Sequence, residues 1–182
     1  DHQKMQHYLY DGAAAERDNG IVIRAAQMLG TGSVMSDYML VTVILPLRPG
    51  DEDYAISCVV PTRARGLKLY PRRPYALGLT SVFDYPLSSR LDETDSLVVF
   101  DDVFVPWEDV FIYKNLELTA GQFSVTAAHV LGNTQSHIRS LAKLQFLVGL
   151  VKRCMDLSGR SASGDIVAQL GDLASRVSLV EG

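Results

Sequence analysis

The stretch GIVIRAAQMLGTGSVMSDYMLVTVILP, Gly20 to Pro46, holds two strand-like runs joined by a small polar link, Gly30-Thr31-Gly32-Ser33. Ile21–Ala26 and Tyr38–Leu45 are rich in Val, Ile, Leu and Tyr, side chains that pack well on a half-buried pleated surface. The link offers two glycines, which tolerate left-handed backbone and close approach, and two hydroxyls. It reads either as a plain turn or as a place where a ligand docks on backbone and hydroxyl groups.

Working outward, Tyr54–Val60 is a third such run, reached through LRPGDED (Leu47–Asp53) with its Pro-Gly turn signal. Ser96–Phe100 (SLVVF) followed by Asp101–Pro106 (DDVFVP) reads as a further strand pair. Asp101 and Asp102 at its junction read as a solvated turn rather than a metal pair, because no third ligand accompanies them. Trp107, after Pro106, reads as a core anchor.

Between Pro61 and Asp95 lies a long segment without a clear period, carrying Pro61, Pro71, Pro74 and Pro86. Loops of this length are uncommon in compact domains and often carry function. Ser88-Ser89-Arg90 stands near its end, ahead of Asp92 and Glu93. Two hydroxyls before an arginine can hold an anionic group; the alternative is a turn closed by local side-chain to backbone bonds. The basic clusters TRARGLK and PRRP read as solvated loops.

The pattern changes near Leu116. Ala120–Met155 has no proline, and Ile138, Leu141, Leu144, Leu147, Val151 and Cys154 keep helical spacing. SGRSASGD (Ser158–Asp165) breaks this helix, and Ser163 or Asp165 can cap a second one, in which Ile166, Leu170, Leu173, Val177 and Val180 share a face. Two helices cannot bury both apolar surfaces alone, so further helices or partner subunits are expected. On the first helix His129, Asn133 and His137 fall at i, i+4 and i+8, with Gln135 and Arg139 as a second polar pair. This face is either solvated or the lining of a polar site that sets the charge of His129.

The 182 residues are 47% hydrophobic and carry a formal net charge of -4, which leaves no electrostatic footprint for nucleic acid. Cys58 and Cys154 read as buried free thiols without metal-ligand spacing. No signal peptide and no membrane-spanning run are visible, so a cytoplasmic location without membrane association is expected. The opening DHQKMQHYLYD lacks an initiator methionine and reads as the interior of a longer protein. Gly-x-Ser-x-Gly, P-loop and dinucleotide fingerprints are absent.

GIVIRAAQMLGTGSVMSDYMLV, DYAISCVVP, GLKLYPRRPYALG, FDYPLSSRLDETDSLVVFDDVFVPWEDVF and AHVLGNTQSHIRSLAKLQFLVGL closely resemble, in order and over almost the whole chain, the 4-hydroxyphenylacetate 3-monooxygenase oxygenase-component family. These are two-component flavin-dependent phenol hydroxylases. The resemblance implies an α+β, acyl-CoA dehydrogenase-like fold: a middle β-barrel domain (residues 1–116) followed by the first helices of a C-terminal four-helix bundle (117–182). It implies ortho-hydroxylation of a phenol with reduced FAD and dioxygen, a separate flavin reductase as partner, and a homotetramer.

By the same resemblance AAQMLGTGS is similar to a dehydrogenase strand end where a threonine touches the flavin. Thr31 then faces the isoalloxazine with Ser33 beside it, Gly30 and Gly32 admit the ring, and backbone N–H groups bond its polar edge. Ser88, Ser89 and Arg90 are candidate substrate contacts, and His129 a candidate catalytic residue. The family's Arg, Tyr and His near the phenol are expected upstream of Asp1, so this chain alone is expected to be inactive. A relative of the family, 4-hydroxybutyryl-CoA dehydratase, ligates an iron–sulfur cluster with a His and a Cys seven residues on; here those positions resemble His129 and Ser136, and serine supplies no thiolate. Two other readings stand beside the hydroxylase. One is an acyl-CoA dehydratase or isomerase of this fold, and the other a non-catalytic assembly module. Flavin binding separates the enzymes from the module, and phenol-dependent oxygen consumption separates the hydroxylase from the dehydratase.

Overall fold

A computed structural model describes residues 12–92 and 94–182. The opening segment DHQKMQHYLYD and Glu93 lie outside the described residues. The chain forms two compact units, Asp1–Gln122 and Phe123–Gly182.

The described residues of the first unit form seven strands: β1 Gly12–Arg17, β2 Gly20–Gln27, β3 Tyr38–Thr42, β4 Ile56–Pro61, β5 Leu67–Pro71, β6 Ser96–Pro106 and β7 Val110–Tyr113. They make two sheets, ordered β1-β2-β6-β5 and β3-β4-β7, with every pairing antiparallel. The described strands therefore form two separate sheets, not the closed barrel expected. One core serves both. Ile21, Ile23 and Ala25 of β2 and Val98, Phe100, Val103 and Val105 of β6 meet Val41, Ile56, Cys58 and Val60 of the second sheet. The alternation of these side chains is the period of two that places one strand face inward.

β6 is a single strand where the sequence suggested a pair. Ile23 aligns with Val103 and Ala25 with Phe100, so β6 spends three residues where β2 spends two. The additional residue is a bulge at Asp101 and Asp102, with Asp102 at φ +55°. A bulge resets the alternation, so Val98 and Phe100 before it and Val103 and Val105 after it all point into the core. The two carboxylates ion-pair separately, Asp101 with Lys68 at 2.7 Å and Asp102 with Arg24 at 2.6 Å. The Lys68 bond holds Asp101 below the usual carboxylate range.

β5 falls inside Pro61–Asp95, which the sequence alone left as irregular. Gly66 enters it at φ +91°, its Cα so near the Asp101 carbonyl that a Cβ would stand 2.3 Å from the oxygen. Trp107 packs against the core, donates its indole N–H to the Asp18 carbonyl at 3.2 Å, and meets Tyr113 edge-on at 5.2 Å.

The helical part differs from the sequence expectation in two respects. One helix was expected from Ala120 to Met155, but α1 Leu116–Val125 ends at Thr126-Ala127 and α2 Ala128–Leu157 begins anew. Val125 and Thr126 are both β-branched, and the Thr126 hydroxyl accepts the Ala128 N–H at 3.2 Å. Both features favour a helix start over a helix interior. In the second unit α2 packs on α3 Gly164–Glu181, with Ser163 at the N-cap position. No residue of α2 or α3 is buried. Cys154, expected inside, is accordingly exposed, while Cys58 is buried. No described helix is long and apolar enough to cross a membrane.

Candidate functional site

The turn after β2 is anchored through its backbone. Gly30 N–H donates to Ser96 O at 2.9 Å and Gly32 N–H to Thr94 O at 3.1 Å, stitching the turn to the approach to β6. Thr31 N–H donates to Leu29 O and Ser33 N–H to Gly30 O. All four N–H groups of the link are thus used within the protein, and the expectation that they face a ligand is corrected. The glycines also divide their roles. A Cβ on Gly30 would sit 2.7 Å from Val98 Cγ2, so Gly30 lets the turn pack on β6. Gly32 lies at φ +72° with open space where its Cβ would be. Gly32 alone leaves an approach clear.

The side chains supply what the backbone withholds. Thr31 is exposed, and its hydroxyl donates to Asp95 Oδ1 at 2.5 Å, with Leu29 O at 3.4 Å. Met28, Leu29 and Met35, each more than 70% exposed, present apolar surface around it. Ser33 Oγ and Ser96 Oγ are buried and, among the described residues, have no hydrogen-bond partner. An orphaned buried hydroxyl costs about 1–3 kcal/mol, a cost a fold keeps where a group is wanted. The turn therefore offers a polar edge in an apolar surround, suited to a flat, largely apolar ligand with a polar rim.

Asp95 and Arg72 are the residues that sequence reasoning passed over. Arg72 N–H donates to Asp95 O at 2.9 Å, and its guanidinium lies 3.7 Å from Asp95 Oδ2. The same guanidinium is paired with Asp92 and lies over the Tyr75 ring, 4.7 Å from the centroid. The Arg72 bond pulls Asp92 below the usual carboxylate range. PRRP is therefore not merely a solvated loop: Arg72 holds both ends of the segment between β5 and β6. The run of acids in LDETD was the only available signal.

Ser89 and Arg90 line an open hollow of about 350 Å³ together with Leu79, Thr80, Ser81 and Asp84. Ser88 is not part of that lining. Ser89 N–H donates to Tyr85 O and Arg90 N–H to Leu87 O, so the trio also closes a local turn. Asp84 places a carboxylate in the same hollow, its Oδ2 3.1 Å from the Thr80 hydroxyl, which opposes an anion there.

In the second unit His129 lies in the first turn of α2, half-buried, edge-on to Phe123 at 6.0 Å. Its Nδ1 is 3.3 Å from the Thr126 carbonyl, an acceptor, so Nδ1 carries the proton and Nε2 the lone pair in the neutral ring. His137 is exposed and makes the equivalent bond to Asn133 O at 2.7 Å. Among the described residues no cluster of His, Cys, Asp and Glu is arranged to hold a metal ion.

The chain is 36% identical over 169 residues to the pyoverdin chromophore biosynthetic protein PvcC of Pseudomonas aeruginosa, covering 91% of this chain and 34% of that one. It superposes with a TM-score of 0.84, at 31% identity, on the oxygenase component of 4-hydroxyphenylacetate 3-monooxygenase crystallised with FAD and 4-hydroxyphenylacetate, covering 97% of this chain and 37% of that chain. An acyl-CoA dehydrogenase from Geobacillus kaustophilus, at 12% identity and TM-score 0.67 over 94% of this chain and 42% of its own, shares the fold alone. The chain spans about a third of the length of the curated relatives it matches. Residues 1–112 match the family described as 4-hydroxyphenylacetate 3-hydroxylase N terminal, and the chain belongs to that family.

Proposed function

We propose that this chain forms the flavin-facing part of the oxygenase component of a two-component monooxygenase, which hydroxylates a phenol beside its hydroxyl using reduced FAD and dioxygen. The observation that carries the reading is exposed Thr31 beside an open Gly32, on a turn that also exposes Met28, Leu29 and Met35. This arrangement fits the polar rim and apolar faces of an isoalloxazine. Gly30 and Ser33 shape the turn behind it.

When bound, reduced FAD supplies the electrons with which one oxygen atom enters the phenol and the other leaves as water. The chain's own contribution is placement and exclusion. The exposed methionine and leucine surface displaces water from the ring face. Thr31 would hold the polar edge of the ring. We assign Ser89 and Arg90, with Ser88 preceding them in the same turn, to an uncharged polar group of the substrate, because Asp84 opposes an anion in that hollow. His129 is assigned to proton handling, supported by the Thr126 bond that fixes its tautomer. The two units correspond in this reading to a middle β domain and the start of a helical bundle, whose exposed α2 and α3 faces suit a larger assembly such as a homotetramer.

The test is oxygen consumption with reduced FAD delivered by a flavin reductase, with and without 4-hydroxyphenylacetate, and the catechol product measured directly. Catechol formed in proportion to the phenol supplied supports the reading. The assay uses the full-length oxygenase component that contains this chain, and flavin binding there without catechol refutes hydroxylation.

A further inference from the structure

Thr31 Oγ1 has two neighbours of fixed character. Asp95 is a carboxylate whose second oxygen faces Arg72, and Leu29 offers a carbonyl. Both only accept hydrogen bonds. The Thr31 hydrogen is therefore committed to Asp95, and what the hydroxyl of this exposed residue keeps for a ligand is a lone pair. A threonine hydroxyl is ordinarily indifferent, donating or accepting as its ligand demands. This one is an acceptor.

We propose that Asp95 is a positioning residue that makes the Thr31 site selective for the redox state of its flavin. The inference rests on the flavin reading above. An oxidised isoalloxazine presents one bare nitrogen in its central ring, which only accepts. The reduced ring carries an N–H there, which donates. An acceptor-only hydroxyl bonds the reduced edge and faces the oxidised edge lone pair to lone pair. Asp95 thus tightens reduced FAD and loosens oxidised FAD through the orientation of one proton. Arg72 holds the carboxylate in place and offsets its charge, so the selectivity does not come from repulsion of the flavin by Asp95.

The experiment is a double-mutant cycle read as a ratio. Dissociation constants for oxidised FAD and, anaerobically, for reduced FAD are measured on the full chain as wild type, Asp95→Ala, Thr31→Val and the double variant. The expected result is that Asp95→Ala lowers the preference for reduced FAD about tenfold in the wild-type background, the size of one net hydrogen bond. In the Thr31→Val background the same change has no such effect. The equivalent readout is a drop of about 30 mV in the midpoint potential of bound flavin, taken as a two-electron couple. A direct charge effect of Asp95 enters both backgrounds and cancels. Equal effects in the two backgrounds, or none in either, overturn the inference while leaving the flavin site standing. Wild type that binds neither form overturns both. Should Asp95→Ala fail to fold, Asp95→Asn replaces it in the same cycle, with a smaller coupling of the same sign expected. Its amide can donate to the threonine and release the hydroxyl hydrogen.

Discussion

The Thr31 hydroxyl and the Asp95 carboxylate meet at 2.5 Å across 64 residues of chain. That bond joins the turn after β2 to the end of the segment between β5 and β6. Arg72 extends the link through Asp95 and Asp92, so the proposed flavin edge and the hollow lined by Ser89 and Arg90 belong to one connected loop system.

The connection is sensitive to acid. The Arg72 bond depresses the Asp92 pKa in the fold. A depressed carboxylate contributes stability that is present above its unfolded value and is lost as pH falls through the folded value. Both side chains are partly exposed, so the effect is local and screened by salt. Limited proteolysis between residues 73 and 91 is expected to accelerate as pH drops below the ordinary carboxylate range. Asp92→Asn is expected to show the fast rate already at neutral pH. An Asp92→Asn variant cut at the wild-type rate throughout would remove Arg72 as the clasp.

The bulge in β6 makes a sharper prediction. Inserting one alanine after Asp102 while the bulge persists turns Val103 and Val105 outward, or forces the strand to slip. Each fully buried valine stabilises by about 1.5–3 kcal/mol. The loss is therefore expected to exceed about 3 kcal/mol by denaturant titration of the first unit, whereas Asp102→Asn, which loses only a surface ion pair, is expected to cost about 1 kcal/mol or less.

Much of this was legible beforehand, and the failures have physical causes. The runs from Ile21 and Tyr54 read correctly because both supply fully buried alternating side chains to one core. β5 was missed because Leu67–Pro71 is a short strand with mostly exposed residues, bounded by loop-like prolines. β6 was divided in two because adjacent aspartates look like a turn, and a bulge has no period of its own. At the candidate site, Thr31 was proposed by resemblance. Asp95 and Arg72 were not, since a contact over so many residues leaves no local pattern.

The two glycines of the turn are expected to respond differently to alanine. Gly32→Ala meets open space and carries only the left-handed backbone cost, about 1–2 kcal/mol. Gly30→Ala drives a methyl to within 2.7 Å of Val98 and displaces a core side chain, with overpacking costs of about 1–3 kcal/mol. Thermal unfolding measures both. The distinguishing sign is a shifted Val98 methyl resonance in Gly30→Ala and an unchanged one in Gly32→Ala.

Hydrogen–deuterium exchange with and without reduced FAD tests most directly where the flavin sits. Peptides spanning Met28–Met35 and Thr94–Ser96 are expected to slow together on flavin binding, because the ring rests on the turn those segments stitch shut. Flavin that binds while these peptides exchange at their free rate would contradict the account at its centre.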